Sequence, residues 1–422
     1  MVDSRAMQKP ALATPPGESA RTAGRTWLRQ ALQDSRRRTL SLYEAFESGL
    51  SGSSFKVPLS AELNPPLWEL GHIGWFQDWW IARNRQRALG LACDPDHVRS
   101  KSRLPEADAF YDSSNVAHDI RWSLPLPDAP ATRRYLQQGI DETLELLDTS
   151  AEDDSALYFF RLALLHEDMH CEAAVYMAQS LGLAMPAASA FPKWPGADTR
   201  GPSESSVRIS GCDWQLGRAP NSNAGFAFDN EEAAQITPLN AFRIDTNAVS
   251  WARYLPFVDS AGYEESRWWS PEGWKWRTGA GMKSPRFLRK RDGEWQQQIF
   301  GNWQSLDPSA PALHLTLYEA QAWCRWAGRR LPTEAEWECA VMSDARIRWG
   351  DMWEWTASPF LPFPGFTPHP YRDYSAPWFG SRQVLRGASR ATASNLVHPK
   401  YRNFFTPDRN DIYAGFRSCS DD

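Results

Sequence analysis

The sequence predicts a chain of mixed class, an all-α domain followed by an α+β domain, and three observations carry that expectation. Apolar residues recur at helical spacing from about Thr26 to Gly182. A Pro-, Ala-, Gly- and Ser-rich passage, 185–206, then breaks all periodicity. Beyond it, short β-like segments alternate with turns and many tryptophans. At 422 residues the chain is too long for one core and comfortable for two. The expected divisions are 1–22, 23–184, 185–206 and 207–422.

Taken in order, residues 1–22 are polar and rich in Pro and Ala, which predicts a disordered N-terminus. In 23–184, TWLRQALQDSRRRTLSLYEAFESGL has helical apolar spacing, as do the stretches around 65–85, 132–148 and 155–182. Four amphipathic helices with a long connection between the second and third fit an up-down four-helix bundle. Asn64 is placed to cap a helix opened by Pro65 and Pro66, and Asp153, Asp154 and Ser155 offer caps for the last helix. The passage MPAASAFPKWPGADTRGPSESS reads as the linker. After it, VRISG, NAFRIDT, ALHLTL and QVLRGAS read as strands of a loop-rich domain held by aromatic packing.

Several function classes are disfavoured by bulk properties. A net charge of -5 argues against nucleic acid as the main partner. The N-terminus lacks an apolar signal region, and no apolar run approaches the ~20 residues of a membrane helix. Six cysteines without paired spacing predict reduced thiols in a cytoplasmic protein.

Residues 164–177 read LLHEDMHCEAAVYM, and HEDMH matches the H-E-x-x-H pattern of zinc proteases. At 3.6 residues per turn, Leu162, His166, His170, Ala173 and Met177 share one stripe, so two imidazoles one turn apart form a bidentate metal clip. The bland alternative is a pair of hydrogen-bonded core histidines. In NPPLWELGHIGWFQDWWIARN, His72 lies on one face with Trp68, Trp75 and Trp79, an odd core choice unless something coordinates it. The chain has 22 tryptophans and only 8 histidines, so histidines at ligand spacing carry extra weight. Together they offer three neutral nitrogen ligands with positions left open. A protease is not expected: Ala173 and Tyr176 stand where extended zincin patterns need Gly and His, and Glu167 is turned about 100° from the histidine stripe.

The second half contains, in order, FDNEEAAQITPLNAFRIDTNAVSWARYLPFV, LTLYEAQAWCRWAGRRLPTEAEWECA, GDMWEWTAS, VLRGAS and AGFR. Together these resemble the formylglycine-generating-enzyme fold, a C-type-lectin-like domain, over about 207–419. The copper-binding cysteine pair of those enzymes has no evident counterpart. The helical half, with a lone His on one helix and H-x-x-x-H on a later one, resembles the DinB-like four-helix domain. The combination resembles the EgtB family of non-haem iron sulfoxide synthases.

That resemblance implies Fe(II) held by His72, His166 and His170, with O2 as co-substrate and hercynine as the imidazole substrate. It places Tyr371, in PYRDYSAPWFG, at a proton-transfer position, with Tyr374 beside it. In YRNFFTPDR, Asn403 matches a hercynine contact and Phe404 the position of an aromatic that suits a quaternary ammonium.

The departures concern the sulfur donor. Family members that take γ-glutamylcysteine clamp it with Arg on the loop after the first ligand helix and with an Asp after the aromatic. Here Asn115 and His118 stand at the Arg positions and Phe405 at the Asp position; Arg409 remains, and Met169 replaces a polar residue. Leaving a dipeptide's charges desolvated and unpaired would cost several kcal/mol. PPLWELGHIGWFQDWW and the YDSS…HDIRWSLPLPD loop look most like the selenoneine synthase (SenA) branch, which implies a neutral selenosugar donor. Cysteine or γ-glutamylcysteine, a DinB-like zinc thiol transferase and a non-catalytic lectin-like module remain as alternatives.

Overall fold

The computed structural model describes residues 14–53, 55–193, 205–219 and 225–422. Helical periodicity becomes packing in the first half. The helices are α1 (Glu18–Thr22), α2 (Arg25–Gly49), α3 (Pro66–Gln77), α4 (Ala107–Tyr111), α5 (Ala129–Thr149) and α6 (Asp154–Leu181). Each of α2, α3, α5 and α6 touches the other three. Leu28, Leu32, Leu42 and Phe46 recur along one face of α2 and are fully buried. α3 runs on through a π-helical turn, Asp78–Ala82, and the long connection to α5 carries α4.

Two sequence expectations change here. Asn64 does not cap α3. Pro65 takes that position, and the Asn64 side chain instead donates to Glu69 (2.5 Å) and accepts from Arg121 (2.9 Å). Disorder through residue 22 is also corrected, because Arg21, buried, makes a two-pronged ion pair with Glu231 at 2.5 and 2.8 Å that fixes α1. Residues 1–13 lie outside the described residues. In the expected linker, Ala187–Ala190 forms a short helix, α7, and 194–204 lie outside the described residues. Asp153 does cap α6, accepting from the Ala156 amide at 2.9 Å.

The second half is an open set of small sheets. β1 (Ser206–Ile209), β2 (Cys212–Leu216), β3 (Gln235–Leu239) and β4 (Phe242–Asp245) give two antiparallel pairs, β1 with β4 and β2 with β3. β5 (Leu288–Arg291), β6 (Glu294–Ile299) and β7 (Asn302–Ser305) form an antiparallel meander. β8 (Met352–Pro359), β9 (Gln383–Ala388), β10 (Asn403–Phe405) and β11 (Ala414–Gly415) make the central sheet in the order β10-β9-β8-β11.

The expected strand ALHLTL is absent. His314 takes a left-handed φ of 61°, which interrupts extended backbone, and Thr316 is already the cap of the next helix, Leu317–Trp326. Thr316 and Glu319 satisfy each other's backbone amides, a capping box that competes with strand pairing for the same residues.

α6 is the seam between the halves. Its Glu172 accepts from Trp353 (2.8 Å), Ser389 (2.5 Å) and Thr392 (2.8 Å), besides Tyr176 one turn along. Asp168 accepts from Asn395 at 2.8 Å, and Gln179 pairs with backbone at Gln298 and Phe300. Among the described residues no helix is long and apolar enough to cross a membrane.

Candidate metal centre

α3 and α6 bring His72, His166 and His170 together, with one nitrogen from each ring lying within 4.8 Å of the others. The Nε2 atoms of His166 and His170 are 3.2 Å apart. Two nitrogens bound to one ion at about 2.1 Å would be separated by about 3.0–3.4 Å, so the cluster is already at ligand spacing. Phe76 stacks on His166 with centroids 3.5 Å apart, and Trp68 on His72 at 4.9 Å, so the aromatic stripe read from the sequence packs the ligand rings from behind.

The far side of two rings is tied down. His72 Nδ1 donates to the Tyr111 carbonyl at 2.7 Å, and His170 Nδ1 donates to Glu69 at 2.5 Å. These bonds leave Nε2 as the free lone pair on both rings and fix their orientation. Burial, then the charge of His170, pushes His72 down to about 3; burial, then its two histidine neighbours, pushes His166 well down. Both are neutral ligands at physiological pH. Burial raises Glu69, but His170, His72 and Asn64 outweigh it and hold the carboxyl at about 2. The donor set therefore suits a divalent ion that accepts imidazole, iron included.

Glu167, the apparent protease glutamate, is buried in an ion pair with Arg36 at 2.8 Å and accepts from Thr39 at 2.7 Å. It faces away from the histidines, with both carboxylate oxygens engaged by Arg36.

Tyr371 stands edge-on to Phe76, centroids 4.9 Å apart, with its ring 6.2 Å from that of His166. Tyr374 is set further back, its ring stacked on Phe228 and its hydroxyl 3.0 Å from that of Tyr401. Burial, then nearby carboxylates led by Asp373, raises the Tyr371 phenol, which stays protonated as an O–H donor.

A cavity of about 290 Å³ adjoins the cluster, with Glu69 and Met169 in its wall. It gathers His118, Asn403, Phe405 and Arg409 from the sequence reading. Asn115 and Phe404 are not among its lining residues. Asn115 is exposed and bonds to Asp112, while Phe404 points the opposite way from its strand neighbours and stacks on Phe360 at 4.1 Å. Strand alternation separates it from 403 and 405. Arg409 is already spoken for: its guanidinium grips the buried Asp411 at 2.5 and 2.7 Å.

Three participants escaped the sequence reading: Glu69, Glu172 and Tyr401. Glu69 had a signal, since it lies one turn before His72 on the same face. Glu172 and Tyr401 had none, because the partners that tie Glu172 to the second half, Trp353, Ser389 and Thr392, and the Met169 partner of Tyr401 all lie more than 180 residues away in the chain.

A sulfatase-modifying-factor-like domain joined to a helical half with a three-histidine centre defines the class. The sulfatase-modifying factor enzyme 1-like domain matches residues 192–349. A hercynine oxygenase of Mycolicibacterium smegmatis is 33% identical over 94% of this chain and 99% of its own length, and one of Mycolicibacterium thermoresistibile is 32% identical over 94% and 95%. A formylglycine-generating enzyme of Streptomyces coelicolor is 27% identical over 56% of this chain and 95% of its own. The chain belongs to the EgtB-type hercynine oxygenase family, a family of oxidoreductases.

Proposed function

We propose that this protein is a selenoneine synthase: an iron- and O2-dependent cytoplasmic enzyme joining C2 of the hercynine imidazole to the selenium of a selenosugar. The helical half is read as a DinB-like bundle spanning 23–184, and the second domain as 207–422. In balance, the imidazole C–H and the donor Se–H are lost, one oxygen of O2 leaves in the selenoxide and the other in water. Elimination of the sugar from the selenoxide leaves a selenenic acid, and two equivalents of an external thiol reduce it to selenoneine with release of a disulfide and water.

When bound by His72, His166 and His170, Fe(II) supplies the electrons and open positions that this chemistry requires. The chain's own residues do the rest. Glu69 and the Tyr111 carbonyl hold two rings in the binding tautomer. Tyr371 delivers a proton on the His166 side. Asn403 and the aromatic wall receive hercynine.

One observation carries the choice of donor. Among the described residues lining the cavity, the sole cation, Arg409, is neutralised by Asp411. A dipeptide carboxylate entering there would meet no unpaired positive charge, and the acidic residues Glu62 and Glu172 in the wall are themselves engaged, by Arg286 and by Trp353, Ser389 and Thr392. A second reading, a hercynine sulfoxide synthase using cysteine or γ-glutamylcysteine, is favoured by the names of the relatives.

A competition assay separates them. The enzyme receives Fe(II), O2 and hercynine with selenosugar, thiosugar, cysteine and γ-glutamylcysteine together, and adducts are identified by mass. Selenosugar adducts are expected to dominate. Exclusive cysteine or γ-glutamylcysteine adducts would overturn the donor and leave the reaction class intact.

A further inference from the structure

A second cavity, of about 510 Å³, shares no lining residue with the one beside the histidines. Its wall includes His314, Tyr413 and Arg390. His314 and Tyr413 are 2% and 3% exposed, and both the Nδ1 of His314 and the hydroxyl of Tyr413 lack any hydrogen-bond partner. Two orphaned polar atoms on adjoining rings, centroids 4.8 Å apart, are costly to bury without a purpose.

The backbone at His314 adds an independent sign. A histidine at φ 61° stores local strain of the kind that accumulates where a side chain must be aimed. Backbone at Asp411 and Ile412 lies against the ring, and Nδ1 is left without a partner of its own. Tyr413 presents an O–H. An acceptor beside a donor matches one hydroxyl group. At the rim, the Arg390 guanidinium lies 4.5 Å over the Phe191 ring, and Lys193 is close by.

We propose that this cavity binds a small hydroxylated anion, of the hydroxycarboxylate or sugar-phosphate class. Its hydroxyl sits between Tyr413 Oη and His314 Nδ1, and its charged end faces Arg390 and Lys193. The site stands apart from the donor assignment, and its test uses no turnover.

The full chain is titrated calorimetrically with D-gluconate, D-glucose 6-phosphate, D-glucose and inorganic phosphate. Saturable binding of gluconate or glucose 6-phosphate is expected, and which of the two binds tells carboxylate from phosphate. Glucose and phosphate alone should bind at least tenfold more weakly. Tyr413→Phe should weaken the anion at least tenfold without lowering Tm, since that hydroxyl has no internal bond to lose. Arg390→Ala, at an exposed position, should do the same. Absence of binding by both anions, equal binding of glucose or phosphate, or binding indifferent to both variants overturns the proposal. No binding together with a lower Tm in Tyr413→Phe would assign the two atoms to a structural water.

Discussion

Glu69 carries no motif, yet it converts a histidine into a directed ligand. Its carboxylate accepts the Nδ1–H hydrogen bond of His170 and is itself oriented by Asn64. Replacing it by Gln keeps an acceptor and removes the charge, and such partners are worth about 10–100-fold in metal affinity. Glu69→Gln is therefore expected to weaken Fe(II) binding by about that factor, read by chelator competition, with Tm of the metal-free protein showing whether the fold is kept. Unchanged affinity would reduce Glu69 to packing. Tyr371→Phe removes only an O–H. Turnover should fall on the order of 10²-fold, the usual contribution of a placed acid, while Fe(II) affinity stays as it was; equal turnover would take Tyr371 out of the chemistry. The ligands themselves were legible because helical spacing alone put His166 and His170 on one stripe. The donor wall was legible only where a family pattern named positions, and Asn115 and Phe404 show the limit: matching a position does not fix which way a side chain points.

Among the elements, α3 and α4 approach closely at Gly71. A Cβ on Gly71 would lie 2.2–2.5 Å from the Tyr111 ring, so only glycine fits there. That contact also sets the Tyr111 carbonyl against His72. Gly71→Ala should cost about 1–3 kcal/mol as overpacking and should weaken metal binding through His72 without touching a ligand. Thermal melts and Fe(II) titration check both halves of that expectation, and a variant that melts normally and binds normally would contradict it. Helices were readable because periods of 3.6 persist over many residues in α2, α5 and α6. ALHLTL shows the opposite case: a short alternating run was outweighed by a left-handed His314 and by the Thr316–Glu319 capping box, a local helix-start signal within the same stretch. Asn64 is a milder instance, a good capping residue diverted to Glu69 and Arg121 by the site itself.

Across the molecule, buried histidines set the response to acid. Burial first, then Arg286, holds His314 down to about 4, and burial first, then Arg21, does the same for His398. Unfolded rings take up protons near pH 6.5, so between about 6.5 and 4 the unfolded chain binds more protons than the folded one. This contribution is complete above pH 6.5 and is lost as pH falls toward 4. His72, at about 3, acts in the same direction. So does His166, pushed well down by burial; Asp168, raised by burial to about 6, opposes them below that pH, and Asp78, Asp229 and Glu319 are raised in the same sense as Asp168. The Tm of the metal-free protein is expected to drop steadily from pH 7 to pH 5; a rise on acidification would contradict the balance.

α6 carries the paired histidines on one stretch and, within two residues of them, carboxylates locked into Trp353, Ser389, Thr392 and Asn395. The rod belongs to both modules at once. A chimera that kept one module and borrowed the other from a relative would have to replace, in a single step, the three donors that Glu172 draws from the second half. A substitution on one side of this seam is therefore expected to need a matching one on the other.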